Sequence, residues 1–354
     1  MARILSVAPA LPENEHAQTE ITAALAAGMA EDDRTRSVME RIHASSGIRT
    51  RHLALPLEQY RDLTGFTQTN ELFVEHALPL AERAVDAALA EAGLTVNEVD
   101  HLFFTTVTGL GAPSLDALLA TRMGFRSDLR RVPSFGLGCV AGAAGIARVA
   151  DYLAGQPQGV ALLVSVELCS LTLQWDDHSM ANVVGTGIFS DGAAAVAMVG
   201  AEHPLALGRS TALPRVVASR SALYPDSAEM IGWQIGTAGF RLMLAAGVPA
   251  LIGGHFAVGV DELLDEQGWS RDDIDLWIAH PGGPRVLESF AESLQLPPAA
   301  LDLSWSVMER TGNMSSAAVL HVLAAVGPRA AGDRALLFAL GPGVTAELVL
   351  LEWS

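Results

Sequence analysis

Apolar residues are distributed along this chain in two different ways. Short, nearly unbroken apolar runs at 102–107, 160–166, 276–279 and 336–340 have strand length and lack the polar alternation of a sheet with one wet face. They predict strands buried on both faces, parallel as in α/β proteins. Longer Ala-rich segments alternate with them, and helices are expected at 14–46 and 70–92. Two uncharged stretches, 242–260 and 311–328, approach the length of a membrane span. Gly247, Pro249, Gly253, Gly254 and His255 interrupt the first, and Asn313, Ser315, Ser316 and His321 the second, so both read as buried core helices.

Part of this pattern occurs twice. The segment GLTVNEVDHLFFT at 93–105 matches GWSRDDIDLWIAH at 268–280, an offset of 175. LGCVAGAAGIARVADYLA from 137 meets TGNMSSAAVLHVLAAVGP from 311, and GVALLVSVE from 159 meets DRALLFALG from 333, both at an offset of 174. Strand, turn, buried helix and strand recur in the same order, which points to duplication. The expectation is a layered α/β/α/β/α fold of two related halves, 1–205 and 206–354. The join is expected at 203–214, which holds two prolines and a glycine.

Charge removes several function classes. The 354 residues carry 40 acidic and 22 basic side chains, for a net charge of -18, and every basic one is Arg. Affinity for nucleic acid rests on a basic surface, so a nucleic-acid binder is disfavoured. Without lysine there is neither a Walker A loop nor a Schiff base. Two cysteines, Cys139 and Cys169, are too few for a disulfide framework, and the opening apolar run is too short for a signal peptide, so a cytoplasmic enzyme is expected.

The chemistry gathers at three positions. Cys139 lies in Ser134-Phe-Gly-Leu-Gly-Cys-Val-Ala-Gly-Ala-Ala-Gly145, where glycines crowd a turn ahead of a helix. A helix N-terminus lowers a thiol pKa and favours the thiolate, although a small cysteine packed among alanines fits the same run. Its counterpart across the repeat is Asn313, which could also be a plain helix cap. His280 ends the run Leu276-Trp-Ile-Ala-His-Pro-Gly-Gly-Pro284, beyond the carboxyl end of a strand, where ligands of α/β sheets collect. Together they make a thiol nucleophile, an imidazole and an amide donor suited to acyl-thioester chemistry. A GxSxG elbow and an HExxH motif are missing, and Gly185-Thr-Gly-Ile-Phe-Ser190 fails as a dinucleotide loop at its last position.

These residues make the chain resemble the thiolase-like condensing enzymes, and within them the type III polyketide synthases of the chalcone synthase-like family. The resemblance covers nearly the whole chain. Its blocks are Gly138-Cys139, Val166-Glu-Leu-Cys-Ser-Leu-Thr172, Phe189 with Asp191-Gly-Ala-Ala-Ala195, Ile278-Ala-His-Pro-Gly-Gly-Pro284, Gly312-Asn-Met-Ser-Ser316 and Gly341-Pro-Gly-Val-Thr345. It implies a homodimer without a bound cofactor, using coenzyme A thioesters as substrates. Cys139 would take the starter acyl group, and a neighbouring His would stabilise its thiolate. His280 and Asn313 would hold the malonyl-CoA carbonyl during decarboxylation, with Phe189 as the gatekeeper phenylalanine. Arg41 falls where the family carries a CoA-contacting Arg, in a stretch at 41–57 that holds Arg49 and Arg51 and no acid.

Against that family pattern the pocket departs. Val107 and Thr108 stand where plant enzymes have Thr and Ser, and Cys169 stands for a Thr, while Thr172 and Ser315 are kept. Leu242 replaces a second gate phenylalanine, Ser190 replaces a glycine, and tetrahydroxynaphthalene synthases carry a Cys where Val107 sits. An aliphatic lining suits an alkyl chain better than a coumaroyl ring. The likeness at 71–79 and 275–280 is to bacterial alkylresorcinol and alkylpyrone synthases. A fatty acyl-CoA starter extended with malonyl-CoA is therefore expected. The alternatives are a tetrahydroxynaphthalene- or chalcone-type synthase, a ketoacyl synthase of fatty-acid initiation drawing on acyl carrier protein, and a non-enzymatic scaffold.

Overall fold

The computed structural model describes residues 1–208 and 211–354. Thirteen strands form in it: β1 (Arg3–Ala10), β2 (Asn14–Ala17), β3 (Thr50–Leu53), β4 (His101–Thr106), β5 (Arg130–Phe135), β6 (Val160–Leu168), β7 (Asp191–Val199), β8 (Pro214–Leu223), β9 (Ile231–Gly236), β10 (Gly239–Leu244), β11 (Leu276–Ala279), β12 (Arg334–Gly341) and β13 (Thr345–Trp353). Nine of them make one sheet, ordered β11-β12-β13-β8-β1-β7-β6-β4-β5. A single pair, Arg3 with Arg215, joins β1 to β8 at its middle. Outward from that seam the succession β1-β7-β6-β4 is matched by β8-β13-β12-β11, which is the duplicated arrangement that the repeats predict.

The sheet is mixed rather than parallel throughout. β4 runs parallel to β5 and β6, and β11 parallel to β12, but the contacts from β6 to β7 to β1, and from β12 to β13 to β8, are antiparallel. The turn Pro342–Val344 gives the reason for one reversal. Three residues can only return a chain antiparallel, since a parallel neighbour needs a crossover of a dozen or more.

Alternate side chains of each half build two different cores, as a period of two requires. Ala161 and Leu163 of β6, with Ala335, Leu337 and Ala339 of β12, face a central cluster around the helices Ala141–Ala154 and Ala318–Ala324. Leu162, Val164 and Val166 point outward to helices Gln18–Met29 and Gly65–Ala92. Leu336, Phe338 and Leu340 point outward to Val248–Glu266 and Pro284–Leu294. The result is five layers, α/β/α/β/α. At the centre Gly142 lets the two halves meet, because a Cβ there would collide with the Ser316 carbonyl oxygen and lie 2.7 Å from Val319 Cγ1.

Several expected boundaries move. Residues 14–17 form β2, paired with β3, before the helices Gln18–Met29 and Asp33–Ala44 begin, and the next helix starts at Gly65 rather than at 70. Leu242 belongs to β10, so the helix expected at 242–260 runs Val248–Glu266. Thr311 closes a preceding helix, and the buried one is the short Ala318–Ala324. No helix among the described residues is long and apolar enough to cross a membrane. Of the join expected at 203–214, residues 209 and 210 lie outside the described residues.

Candidate active site

Cys139 occupies the one-turn helix Gly138–Val140 that leads straight into Ala141–Ala154. Gly138 has φ +53°, which a side chain would resist, and Pro342 packs where its Cβ would be. Across the centre, the matching turn Ser315–Ala317 precedes the other buried helix. The Cys139 thiol donates a weak hydrogen bond to Ser315 Oγ at 3.6 Å, and the Asn313 side chain also lies in hydrogen-bonding relation to the sulfur. The two halves therefore meet at the thiol.

Asn313 is held on every side. Its Oδ1 accepts from Ser315 N at 2.8 Å, and its Nδ2 donates to Gly282 O at 3.1 Å. Its backbone pairs with the gate segment, N to Ile188 O at 2.8 Å and O from Ser190 N at 2.9 Å, which bridges it to Phe189. Asn313 is thus no cap of the following helix, whose N-cap is Ala317. A carboxamide has two N–H groups: one goes to Gly282 O and the other is the one that faces the Cys139 sulfur. Gly282 connects it to His280, since a Cβ on Gly282 would sit 3.3 Å from His280 Cδ2.

His280 follows β11, its N–H donating to Phe338 O at 2.8 Å. The residue is 1% exposed, and neither ring nitrogen has a hydrogen-bond partner among the described residues. An orphaned buried imidazole is costly unless something else supplies the partner. Burial pushes its pKa down to about 3, so the ring is neutral. Burial likewise raises Cys139 to about 12, with the Glu167 carboxylate adding to it and Ser315 and Asn313 opposing. The thiol pKa expected to be lowered by the helix N-terminus is raised instead. Desolvation of an isolated thiolate outweighs the dipole here.

Glu167 escaped sequence reasoning as a functional residue. It is fully buried near the end of β6, where its Oε2 accepts from Val107 N at 3.0 Å, Thr108 Oγ1 at 2.8 Å and Thr106 Oγ1 at 3.2 Å, while Ser316 Oγ donates to Oε1. A lone acid in the apolar run Val160–Leu168 was the available signal. Thr108 spends its hydroxyl on this carboxylate and on Leu168 N, so it is tied into the wall.

The remaining pocket residues divide between two spaces. Cys169, Thr172, Phe189 and Leu242 line an apolar cavity of about 70 Å³ that continues between Ile21, Leu25 and Leu57 to Arg61. Val107 lines a separate one of about 190 Å³ with Trp233, Met243 and Pro342. Arg41 is exposed on the helix Asp33–Ala44. The basic patch expected around it is smaller than the sequence suggests. Arg49 pairs with Glu309 at 2.8 Å, and Arg51 is 2% exposed inside the protein.

The family comparisons agree with this geometry. The model of the chalcone and stilbene synthase N-terminal domain matches residues 1–203, and that of the C-terminal domain matches 215–353. A 1,3,6,8-tetrahydroxynaphthalene synthase of Streptomyces peucetius subsp. caesius is 48% identical over 353 residues, 99% of this chain and 93% of that protein. The alpha-pyrone synthesis polyketide synthase-like Pks18 of Mycobacterium tuberculosis is 31% identical over 331 residues, covering 91% and 84%. The crystal structure of the 1,3,6,8-tetrahydroxynaphthalene synthase of Streptomyces coelicolor A3(2) superposes with a TM-score of 0.92 at 32% identity, over 99% of both chains. With both domains matched and the fold shared, the chain belongs to the chalcone and stilbene synthase family and is a type III polyketide synthase, an acyltransferase of decarboxylative condensation with a thiolase-like fold.

Proposed function

We propose that Cys139, His280 and Asn313 carry the reaction, with an aliphatic acyl-CoA as starter and malonyl-CoA as extender. Cys139 sulfur attacks the starter thioester and its proton passes to the departing coenzyme A sulfur, His280 relaying it. The malonyl thioester oxygen then accepts from a ring N–H of His280 and from the Asn313 Nδ2–H that faces the Cys139 sulfur in the free protein. Those two donors hold the charge that develops on that oxygen as the carboxylate leaves as carbon dioxide. The enolate carbon attacks the acyl-Cys carbonyl, the new carbon–carbon bond forms, and the Cys139 thiolate leaves. Phe189 supplies an apolar wall that disfavours the malonyl carboxylate. The observation that carries this reading is the buried imidazole with both nitrogens unpartnered, joined through Gly282 to an amide whose second N–H faces the Cys139 sulfur, where the thioester carbon would sit.

Leu242, Cys169 and Thr172 around the apolar cavity favour an alkyl starter, closed finally to an alkylresorcinol or alkylpyrone. With about 70 Å³ free, a long chain has to extend past Leu57 toward Arg61. A second reading, in which malonyl units alone build a naphthol, is favoured by the 48% identical Streptomyces peucetius relative. Incubation with malonyl-CoA and acyl-CoA starters from acetyl to stearoyl, with a coumaroyl control and products identified by mass spectrometry, separates the two. Alkyl products are expected; a naphthol from malonyl-CoA alone would replace the first reading with the second.

The same reading assigns Arg41 to coenzyme A, the half-boundary to 205/206, the compartment to the cytoplasm and the assembly to a homodimer. Edge strand β5 supports the last. Val132 and Phe135 on it are each 43% exposed in the single chain, an edge that a second copy would cover.

A further inference from the structure

The gate helix Met180–Ile188 ends one residue before Phe189. A helix C-terminus leaves its last carbonyls without helical partners. Here each is met. Phe189 N takes Gly185 O at 2.9 Å and Asn313 N takes Ile188 O at 2.8 Å. The others go to side chains from the first fifty-one residues: Gln18 Nε2 donates to Gly187 O at 2.8 Å, and Arg51 Nη1 donates to both Thr186 O at 2.7 Å and Phe189 O at 2.8 Å. His43 fills the space over Gly187 and lies 3.2 Å by Nε2 from Val183 O.

Arg51 does more than cap. Its stem touches the other arm of the site, for a Cβ on Gly312 would lie 3.1 Å from Arg51 Cγ and 3.0 Å from Ile188 O. Burial lowers the guanidinium pKa to about 10, so at neutral pH it remains a cation at the negative end of the helix dipole, with Asp191 opposite in charge nearby. One buried side chain therefore grips the Phe189 carbonyl and supports the residue next to Asn313.

We propose that Arg51 is a positioning residue that fixes Phe189 and Asn313 in one relation to each other and to the thiol. The proposal rests on the reading of Asn313 as a donor to the enolate oxygen. Loss of the clamp lets the gate segment and Asn313 drift together, while Cys139 stays seated on its own helix. Acyl loading and decarboxylation should then separate. Both bonds come from a single nitrogen, so a lysine ammonium can replace them and a methionine cannot.

The test uses full-length Arg51→Met, Arg51→Lys and Asn313→Ala proteins. Starter loading on Cys139 is followed by intact mass, and decarboxylation of malonyl-CoA by carbon dioxide release. A misplacement near 1 Å can cost on the order of a hundredfold in rate, so Arg51→Met is expected to lose at least about tenfold in decarboxylation kcat. Loading should be unchanged within about threefold, and Arg51→Lys should recover most of the loss. Equal decarboxylation in Arg51→Met and wild type, a parallel fall of loading and decarboxylation, or a lysine variant as impaired as the methionine one would each overturn the proposal. If Arg51→Met does not fold, Gln18→Met decides, freeing the Gly187 carbonyl and breaking the longer bonds to His43 O and Ser46 Oγ: reduced decarboxylation with intact loading supports the clamp, and wild-type rates contradict it. Should Asn313→Ala keep its decarboxylation, the reading of Asn313 fails; loss there without loss in Arg51→Met sinks the positioning role alone.

Discussion

Cys139, part-buried, and His280, buried, each carry a desolvation cost on their charged forms, the thiol raised to about 12 and the imidazole lowered to about 3. In the proposed reaction a thiolate at Cys139 forms together with an imidazolium at His280, because the opposite charges would offset each other's desolvation. Alkylation of Cys139 by iodoacetamide across pH tests that link. Replacing His280 by Gln is expected to move the alkylation midpoint upward, and superimposable profiles would separate the two residues. Leu242 packs against Gly185 beside Phe189 and lines the apolar cavity. Leu242→Phe should shorten the preferred starter and Leu242→Ala lengthen it, read as the product distribution from mixed acyl-CoAs; the same distribution in all three would remove Leu242 from chain-length selection. At this scale Cys139, His280 and Asn313 stand out as candidates because each is a chemically loaded residue inside an apolar, glycine-marked turn. Arg51 and Gln18 do not, since their partners at Thr186, Gly187 and Phe189 lie 135 to 169 residues away and nothing local marks them as buried.

Among elements, the two central helices depend on the absence of a side chain at Gly142. A valine there would drive the turn at Ser316 away from Cys139. Overpacking of this kind costs about 1–3 kcal/mol, and the Gly142→Val protein should lose that much in chemical denaturation together with most of its condensation activity. Full activity with unchanged stability would show that the centre is more yielding than its packing indicates. The repeat was readable from sequence because strand, turn and buried helix carry a joint signature over many residues. Strand direction was not, because an apolar run such as Asp191–Val199 looks the same whichever way it enters the sheet. Only its short or long connection decides, and Pro342–Val344 is one connection brief enough to force a reversal.

Taken as a whole, the molecule should be sensitive to acid. His280 is lowered to about 3, and His43 and His321 to about 4, all by burial. Unfolded, each imidazole takes up a proton as pH falls below about 6.5, while the folded protein does not, so stability is lost from there downward. Asp191, raised to about 6, and Glu167 and Glu347, also raised, act in the opposite direction, but His101 is lowered by burial as well, so four imidazoles outweigh three carboxylates. Urea midpoints are expected to fall between pH 7 and pH 5, and a flat profile would contradict the burial argument. The five-layer architecture places His280, His43 and His321 in dry surroundings, and in the proposed reaction that dryness would strengthen the donors of His280 and Asn313 toward an enolate oxygen. The division of labour between the halves is tested most directly by carbon dioxide release from malonyl-CoA in Cys139→Ala and His280→Ala proteins side by side. Cys139→Ala should still decarboxylate while making no condensed product, and His280→Ala should load its starter yet release carbon dioxide about a hundredfold or more slowly. Condensation without the thiol, or wild-type carbon dioxide release without the imidazole, would contradict the account.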